Sequence, residues 1–149
     1  MTNDLHQNIS GLFPQLPARD FRQAPALVLA YVGDTVYDLY VRTLLVHKSD
    51  AAAHGLHVQS AGLVCANAQA QAYRRIEHML SPEEEGVYRR GRNAHMGSIP
   101  KNASIMDYRI ASGLEALLGY LYLTGQDQRL QELMYAALKD AFYACPTSF

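Results

Sequence analysis

From Ala24 to Val41 the chain is apolar at nearly every position, and Asp34 and Asp38 carry its only charges. Pro25 suits the first position of a helix, where its missing N–H would be unpaired anyway. The stretch predicts a long helix reaching about His47, on the order of 33 Å at 1.5 Å per residue. A helix that is hydrophobic on every side belongs in the middle of a fold. With 149 residues, 49% of them hydrophobic, the chain can wrap such a helix in one domain, but two would be cramped.

The remaining apolar spacing is also helical, and no segment alternates like a strand or carries an Asn-Gly or Asp-Gly hairpin signal. The expected class is therefore all-α, with one domain over residues 1–149. Pro17 to Arg22 suits a short helical turn. Ser49 and Asp50 are candidate caps for the next segment, in which Ala61, Val64, Cys65, Ala68, Ala72, Ile76 and Met79 recur at helical spacing. Ser81-Pro82-Glu83-Glu84 is a start signal: serine cap, proline first, glutamate third. That short helix should end at Arg89-Arg90-Gly91, basic residues followed by glycine. Gly91 to Ala103 reads as a loop. A helix from about Ile105 to Thr124 should stop at Gly125, and Leu130, Leu133, Met134, Ala137, Leu138, Ala141 and Phe142 mark a last amphipathic helix.

Several classes of function drop out. No apolar run reaches the roughly 18 residues of a membrane span. Met1 to Ser10 is polar and lacks the pattern of a secretory signal. The cytoplasm is the expected location, with no membrane partner. Cys65 and Cys145 are far apart, which argues against a disulfide scaffold or a zinc-thiolate site. A formal net charge of −1 gives no bulk attraction to nucleic acid. There is no phosphate-loop motif, no His-Glu-x-x-His, no His-Asp pair and no Gly-x-Ser-x-Gly.

Two carboxylates stand out instead. Asp34 follows Gly33 in the middle of the apolar helix. Glu115 is the only charge between Ile110 and Gly125, with Gly113 and Gly119 beside it to let another helix approach. A buried carboxylate is costly unless something compensates it. Structural acids that hydrogen-bond a neighbouring helix would explain each one alone. Together they also suit a hard cation such as Mg²⁺, which takes oxygen ligands and keeps several waters. A third feature is a basic stretch. Between Gly86 and Ile110 lie Arg89, Arg90, Arg92, Lys101 and Arg109 against the single acid Asp107. Asn93, Ser98, Asn102 and His95 add polar groups. Such a loop suits phosphate contacts, and equally an ordinary solvated surface. Asp38 fits a helix-surface role, and Asp107 fits a helix dipole.

Three segments taken together resemble a known family. Leu29-Ala30-Tyr31-Val32-Gly33-Asp34-Thr35-Val36-Tyr37 resembles the signature helix of ribonuclease III domains. Leu114-Glu115-Ala116-Leu117-Leu118-Gly119-Tyr120-Leu121-Tyr122 resembles the family's second catalytic helix. Val64-Cys65-Ala66-Asn67-Ala68-Gln69-Ala70, Arg90-Gly91-Arg92-Asn93-Ala94, Lys101-Asn102 and Tyr108-Arg109 are similar to the narrower Mini-ribonuclease III group. The resemblance is strongest over residues 24–122.

The resemblance implies a helical endonuclease domain that works as a homodimer, with double-stranded RNA across the dimer cleft. It implies catalytic and metal-holding roles for Asp34 and Glu115, with Mg²⁺ as cofactor and Mn²⁺ as a substitute. Arg89, Arg90, Arg92, Asn93, Lys101, Asn102 and Arg109 would contact RNA. Cleavage would leave 5′-phosphate and 3′-hydroxyl ends. The expected substrate is precursor 23S (large-subunit) ribosomal RNA, free or in the assembling subunit. Larger members append a double-stranded-RNA-binding domain, for which no residues remain here after Phe142. The chain also departs from the larger enzymes. Leu27, Ala30, Gln71 and Ser112 stand where those carry acids, so a catalytically silent RNA- or ribosome-binding dimer is the alternative.

Overall fold

The computed structural model describes residues 4–94 and 104–143, and every regular element among them is helical. In order these are α1 (Leu5–Ser10), a 3₁₀ turn (Phe21–Gln23), α2 (Ala26–Lys48), α3 (Ala53–Val64), α4 (Ala66–Ile76), a 3₁₀ turn (Glu77–Met79), α5 (Pro82–Asn93), α6 (Ile105–Leu123) and α7 (Asp127–Tyr143). The all-α expectation is borne out.

The central helix is α6. From Ile110 to Leu121 every residue except Glu115 is buried. Helices α2, α4 and α5 pack around it, and α7 closes the bundle against α4 and α6. The most apolar helix was expected to occupy the middle, and here the sequence misleads. Helix α2 buries one face, Leu29, Gly33, Val36, Tyr37, Val41 and Leu45. Its other side leaves Leu27, Val28, Tyr31, Leu39 and Val46 exposed, with Tyr31 at 82%.

Helices α2 and α6 meet backbone to backbone. A Cβ on Gly33 would lie 1.7 Å from the Glu115 carbonyl oxygen, and one on Gly119 would lie 1.9 Å from the Leu29 carbonyl oxygen. No side chain fits at either position, so the pair of glycines sets the distance between the two helices.

Some boundaries differ from the sequence reading. Asp4 and Gln7 form a capping box that starts α1 in a segment read only as polar; the Gln7 N–H donates to the Asp4 carboxylate at 2.8 Å. Pro25 is the N-cap of α2 rather than its first residue. Ser49 and Asp50 do not cap α3, which starts after Ala52 with no side-chain cap. The stretch from Ala61 to Met79 is broken at Cys65, whose ψ of 162° is extended. The carbonyls freed there find side-chain partners: Gln69 Nε2 donates to Val64 O at 2.9 Å, and the Tyr37 hydroxyl donates to Leu63 O at 3.1 Å. Helix α5 does not stop at Gly91. A Cβ there would lie 2.6 Å from that of Ala116, so this glycine serves packing against α6, not termination.

Other signals hold. Ser81 and Glu84 form the expected capping box, and Gly125 ends α6 at φ 72°. Glu84 also takes the Arg129 guanidinium at 2.8 and 2.9 Å, and Arg129 donates to Met79 O at 2.7 Å. That ion pair, with Glu84 buried, ties α7 to the start of α5 and holds the Glu84 carboxyl below the usual carboxylate range.

Gly33→Ala or Gly119→Ala should cost about 3 kcal/mol or more, because backbone rather than a flexible side chain blocks the new methyl. Gly62, on α3 with open space around its Cβ position, is the control, and its Ala variant should gain roughly 0.5–1 kcal/mol from helix propensity. Urea unfolding of the three variants checks both signs.

Candidate active site

The glycine crossing decides where the two acids go. Asp34 follows Gly33 on α2, and Glu115 is the α6 residue whose carbonyl oxygen Gly33 abuts. Their side chains face one another closely enough to influence each other's protonation, and both line one cleft. Asp34 is exposed and Glu115 half-buried. Burial pushes the Glu115 carboxyl up to about 9, helped by the Asp34 carboxyl beside it and by that residue's negative charge. Burial and the neighbouring acid thus favour the protonated form of Glu115.

The pair lies in an open cleft of about 550 Å³ between α2 and α6. Leu27, Ala30, Tyr31, Val32 and Thr35 line it from α2, and Tyr108 and Ser112 from α6. Leu27, Ala30 and Ser112, three of the positions where the larger enzymes are expected to carry acids, thus face the site. The fourth, Gln71, is exposed on α4 and does not line the cleft. Among the described residues no group of three or more His, Cys, Asp or Glu side chains converges. The donor set is two carboxylates with the hydroxyl groups of Thr35, Ser112 and Tyr108 around them. Two carboxylates with hydroxyl groups beside them fit a hard divalent cation that keeps water in its other positions.

The basic residues divide. Arg89 is paired with Glu85 on its own helix. Arg90 and Arg109 are exposed, and with Arg92 they form no ion pair among the described residues. Arg92 lies over the Tyr88 ring, 5.8 Å from its centroid, and its Nε donates to the Asn93 side chain at 3.2 Å. The close contact at Gly91 presses this last turn of α5 against Ser112, Gly113 and Ala116, the α6 segment that carries Glu115. Lys101 and Asn102 lie outside the described residues, as do His95 and Ser98.

Asp38 pairs with Arg42 at 2.9 Å on the surface of α2 and does not join the cleft. Asp107 sits in the first turn of α6. The Ser104 hydroxyl accepts from its N–H at 3.3 Å, and Asn67 Nδ2 donates to its carboxylate at 3.1 Å. Arg74 stands 3.9 Å from that carboxylate. Asp107 thus complements the helix start and docks it on α4. Tyr31, Thr35 and Tyr108 were not singled out from sequence. Their signal was there: Tyr31 and Thr35 stand near Asp34 in the chain, and Tyr108, Ser112 and Glu115 follow one another at helical spacing on one face.

Known proteins resemble this chain in sequence and fold. The family described as ribonuclease III domain matches residues 27–126. The chain is 44% identical over 117 residues to the Mini-ribonuclease 3 of Clostridium tetani (strain Massachusetts / E88), covering 78% of each. It is 43% identical over 123 residues to the Mini-ribonuclease 3 of Enterococcus faecalis (strain ATCC 700802 / V583), covering 81% of this chain and 93% of that one. In structure it is similar to a crystallised Fusobacterium nucleatum protein, with a TM-score of 0.74 at 24% identity over 83% of this chain and 99% of that chain. The last likeness supports the helical fold alone.

The raised Glu115 value has a consequence for stability. Between the ordinary glutamate value of 4.5 and about 9, the folded chain holds a proton that the unfolded chain releases. Stability must then fall as pH rises through that window. The melting temperature measured in EDTA should decline between pH 5 and 9, and Glu115→Gln should flatten the decline. Equal slopes in the two proteins would contradict the raised Glu115 value.

Proposed function

The chain belongs to the ribonuclease III family of endoribonucleases, in its Mini-ribonuclease 3 branch, and from that premise we propose that it cuts double-stranded RNA with a divalent cation held by Asp34 and Glu115. The observation that carries this reading is the adjacent pair of carboxylates lining an open cleft. Two such groups repel each other when both ionise, and a cation between them removes that cost. The proposed cation is Mg²⁺, with Mn²⁺ as a substitute. Held by these two residues, such an ion would supply Lewis acidity for phosphodiester hydrolysis.

The chain's own groups do the rest. Asp34 and Glu115 would hold the cation, Glu115 in its ionised form with its proton released to solvent. Ala30 and Ser112 add no charge, so the site relies on this pair. Arg90, Arg92 and Arg109 lack an ion-pair partner among the described residues and are the stronger candidates for phosphate contacts. Arg89, Asn93, Lys101 and Asn102 complete the proposed set. Such contacts read backbone and shape rather than sequence, which suits A-form RNA. The exposed stripe of Leu27, Val28, Tyr31, Leu39 and Val46 on α2 supports assembly as a homodimer, with the stripe covered by a second copy. Leu27 and Tyr31 belong both to that stripe and to the cleft, so pairing would border each site with the other chain. The proposed substrate is precursor 23S ribosomal RNA, matured in the cytoplasm.

Purified protein incubated with a duplex precursor RNA tests this. Cleavage to 5′-phosphate ends should require Mg²⁺ and stop in EDTA. Asp34→Asn and Glu115→Gln should each lower the rate by roughly 10³-fold, several kcal/mol of barrier. RNA affinity should fall steeply with salt. Binding without any Mg²⁺-dependent cleavage would return the chain to a silent, RNA-binding role.

A further inference from the structure

Tyr88 lies one turn before Arg92 on α5 and is buried. Its ring is held from two sides. One face stacks on Tyr73 of α4, with centroids 3.8 Å apart and planes within 5°. Its edge occupies the space over Gly113 of α6, where a Cβ would lie 2.6 Å from the ring's Cε1 and 2.8 Å from the Tyr88 carbonyl oxygen. Gly113 is two residues from Glu115. The Arg92 guanidinium lies over this ring at 5.8 Å, within cation–π range. Burial raises the Tyr88 pKa, while the Arg92 charge and hydrogen bonds with Tyr73 and Arg92 pull it back. Tyr73, Gly113 and Arg92 therefore converge on one side chain.

The ring is wedged between two helices, so it cannot swing. An arginine left free at a helix end samples many rotamers and loses about 2 kcal/mol of entropy when a phosphate fixes it. A guanidinium laid on an immobile ring has lost much of that freedom already. The sequence gives a reason for the wedge as well: glycine at 113 is what admits the ring.

We propose that Tyr88 is a positioning residue for RNA recognition, a ring clamped between Tyr73 and Gly113 that sets the Arg92 guanidinium at a fixed place beside the Glu115 helix. It rests on the reading of Arg92 as a phosphate contact, and it adds to that reading a residue that touches no RNA itself.

A double-mutant cycle on the full chain tests the proposal, using the dissociation constant for a short RNA duplex and the kcat and KM of its cleavage. Arg92→Ala alone tests the underlying reading and should weaken binding about tenfold, as one charge-assisted contact would. An unchanged dissociation constant there would remove Arg92 from the interface and the proposal with it. Tyr88→Leu should weaken binding several-fold, with the loss falling mainly in KM. Tyr88→Phe keeps the ring and should recover most of that loss. In the Arg92→Ala background neither Tyr88 substitution should weaken binding further. Losses that simply add would show that Tyr88 acts through general stability, and would overturn the proposal while leaving the Arg92 reading intact. If Tyr88→Leu does not fold, Tyr88→Phe carries the cycle, and its smaller loss must likewise vanish without Arg92.

Discussion

The site depends on one close crossing. Gly33 abuts the Glu115 carbonyl and Gly119 abuts the Leu29 carbonyl, so α2 and α6 touch through their backbones at two points. Any side chain at either glycine would separate the helices by about its own thickness. The crossing places Asp34 beside Glu115, and proximity produces the rest of the site's electrostatics. A carboxylate beside another, half out of water, keeps its proton. The same arrangement that disfavours two negative charges favours whatever neutralises them. A cost in the free protein thus becomes a preference for a cation, and the proposed cofactor follows from the same geometry as the raised Glu115 value.

Around that crossing, small residues repeatedly set distances on α6. Gly91 lets α5 lie against Ser112, Gly113 and Ala116. Gly113 receives the Tyr88 ring, which stacks on Tyr73. The first turn of α6 is docked on α4 through Asp107, Asn67 and Arg74. Helices α2, α4 and α5 are thereby all referenced to α6, which carries Glu115. On the proposed reading this common reference keeps phosphate-contacting arginines and catalytic carboxylates in a constant relation.

Much of this was legible in the sequence. Helical periodicity gave the class, and the capping box at Ser81 and the stop at Gly125 were correct because they are local. Asp34 and Glu115 stood out as isolated charges in apolar surroundings. The failures were tertiary. Helix α2 looked like the core because one turn of sequence cannot distinguish a face that packs inside the chain from one left open. The break at Cys65 depends on hydrogen bonds from Gln69 and Tyr37 that periodicity does not record. Gly91 had the context of a helix stop, yet its use is close packing against α6. Arg89, Arg90 and Arg92 looked equivalent in a row, and only the structure separates the one paired with Glu85 from the one lying on Tyr88.

On the proposed reading, a divalent cation replaces the proton that Glu115 holds beside Asp34. Calorimetric titration of Mn²⁺ into the cation-free protein at pH 7, in two buffers of different ionisation enthalpy, counts the protons released on binding. About one proton per bound cation per chain should be released, and none in Glu115→Gln. Binding with no proton release, or binding unaltered by that substitution, would contradict it.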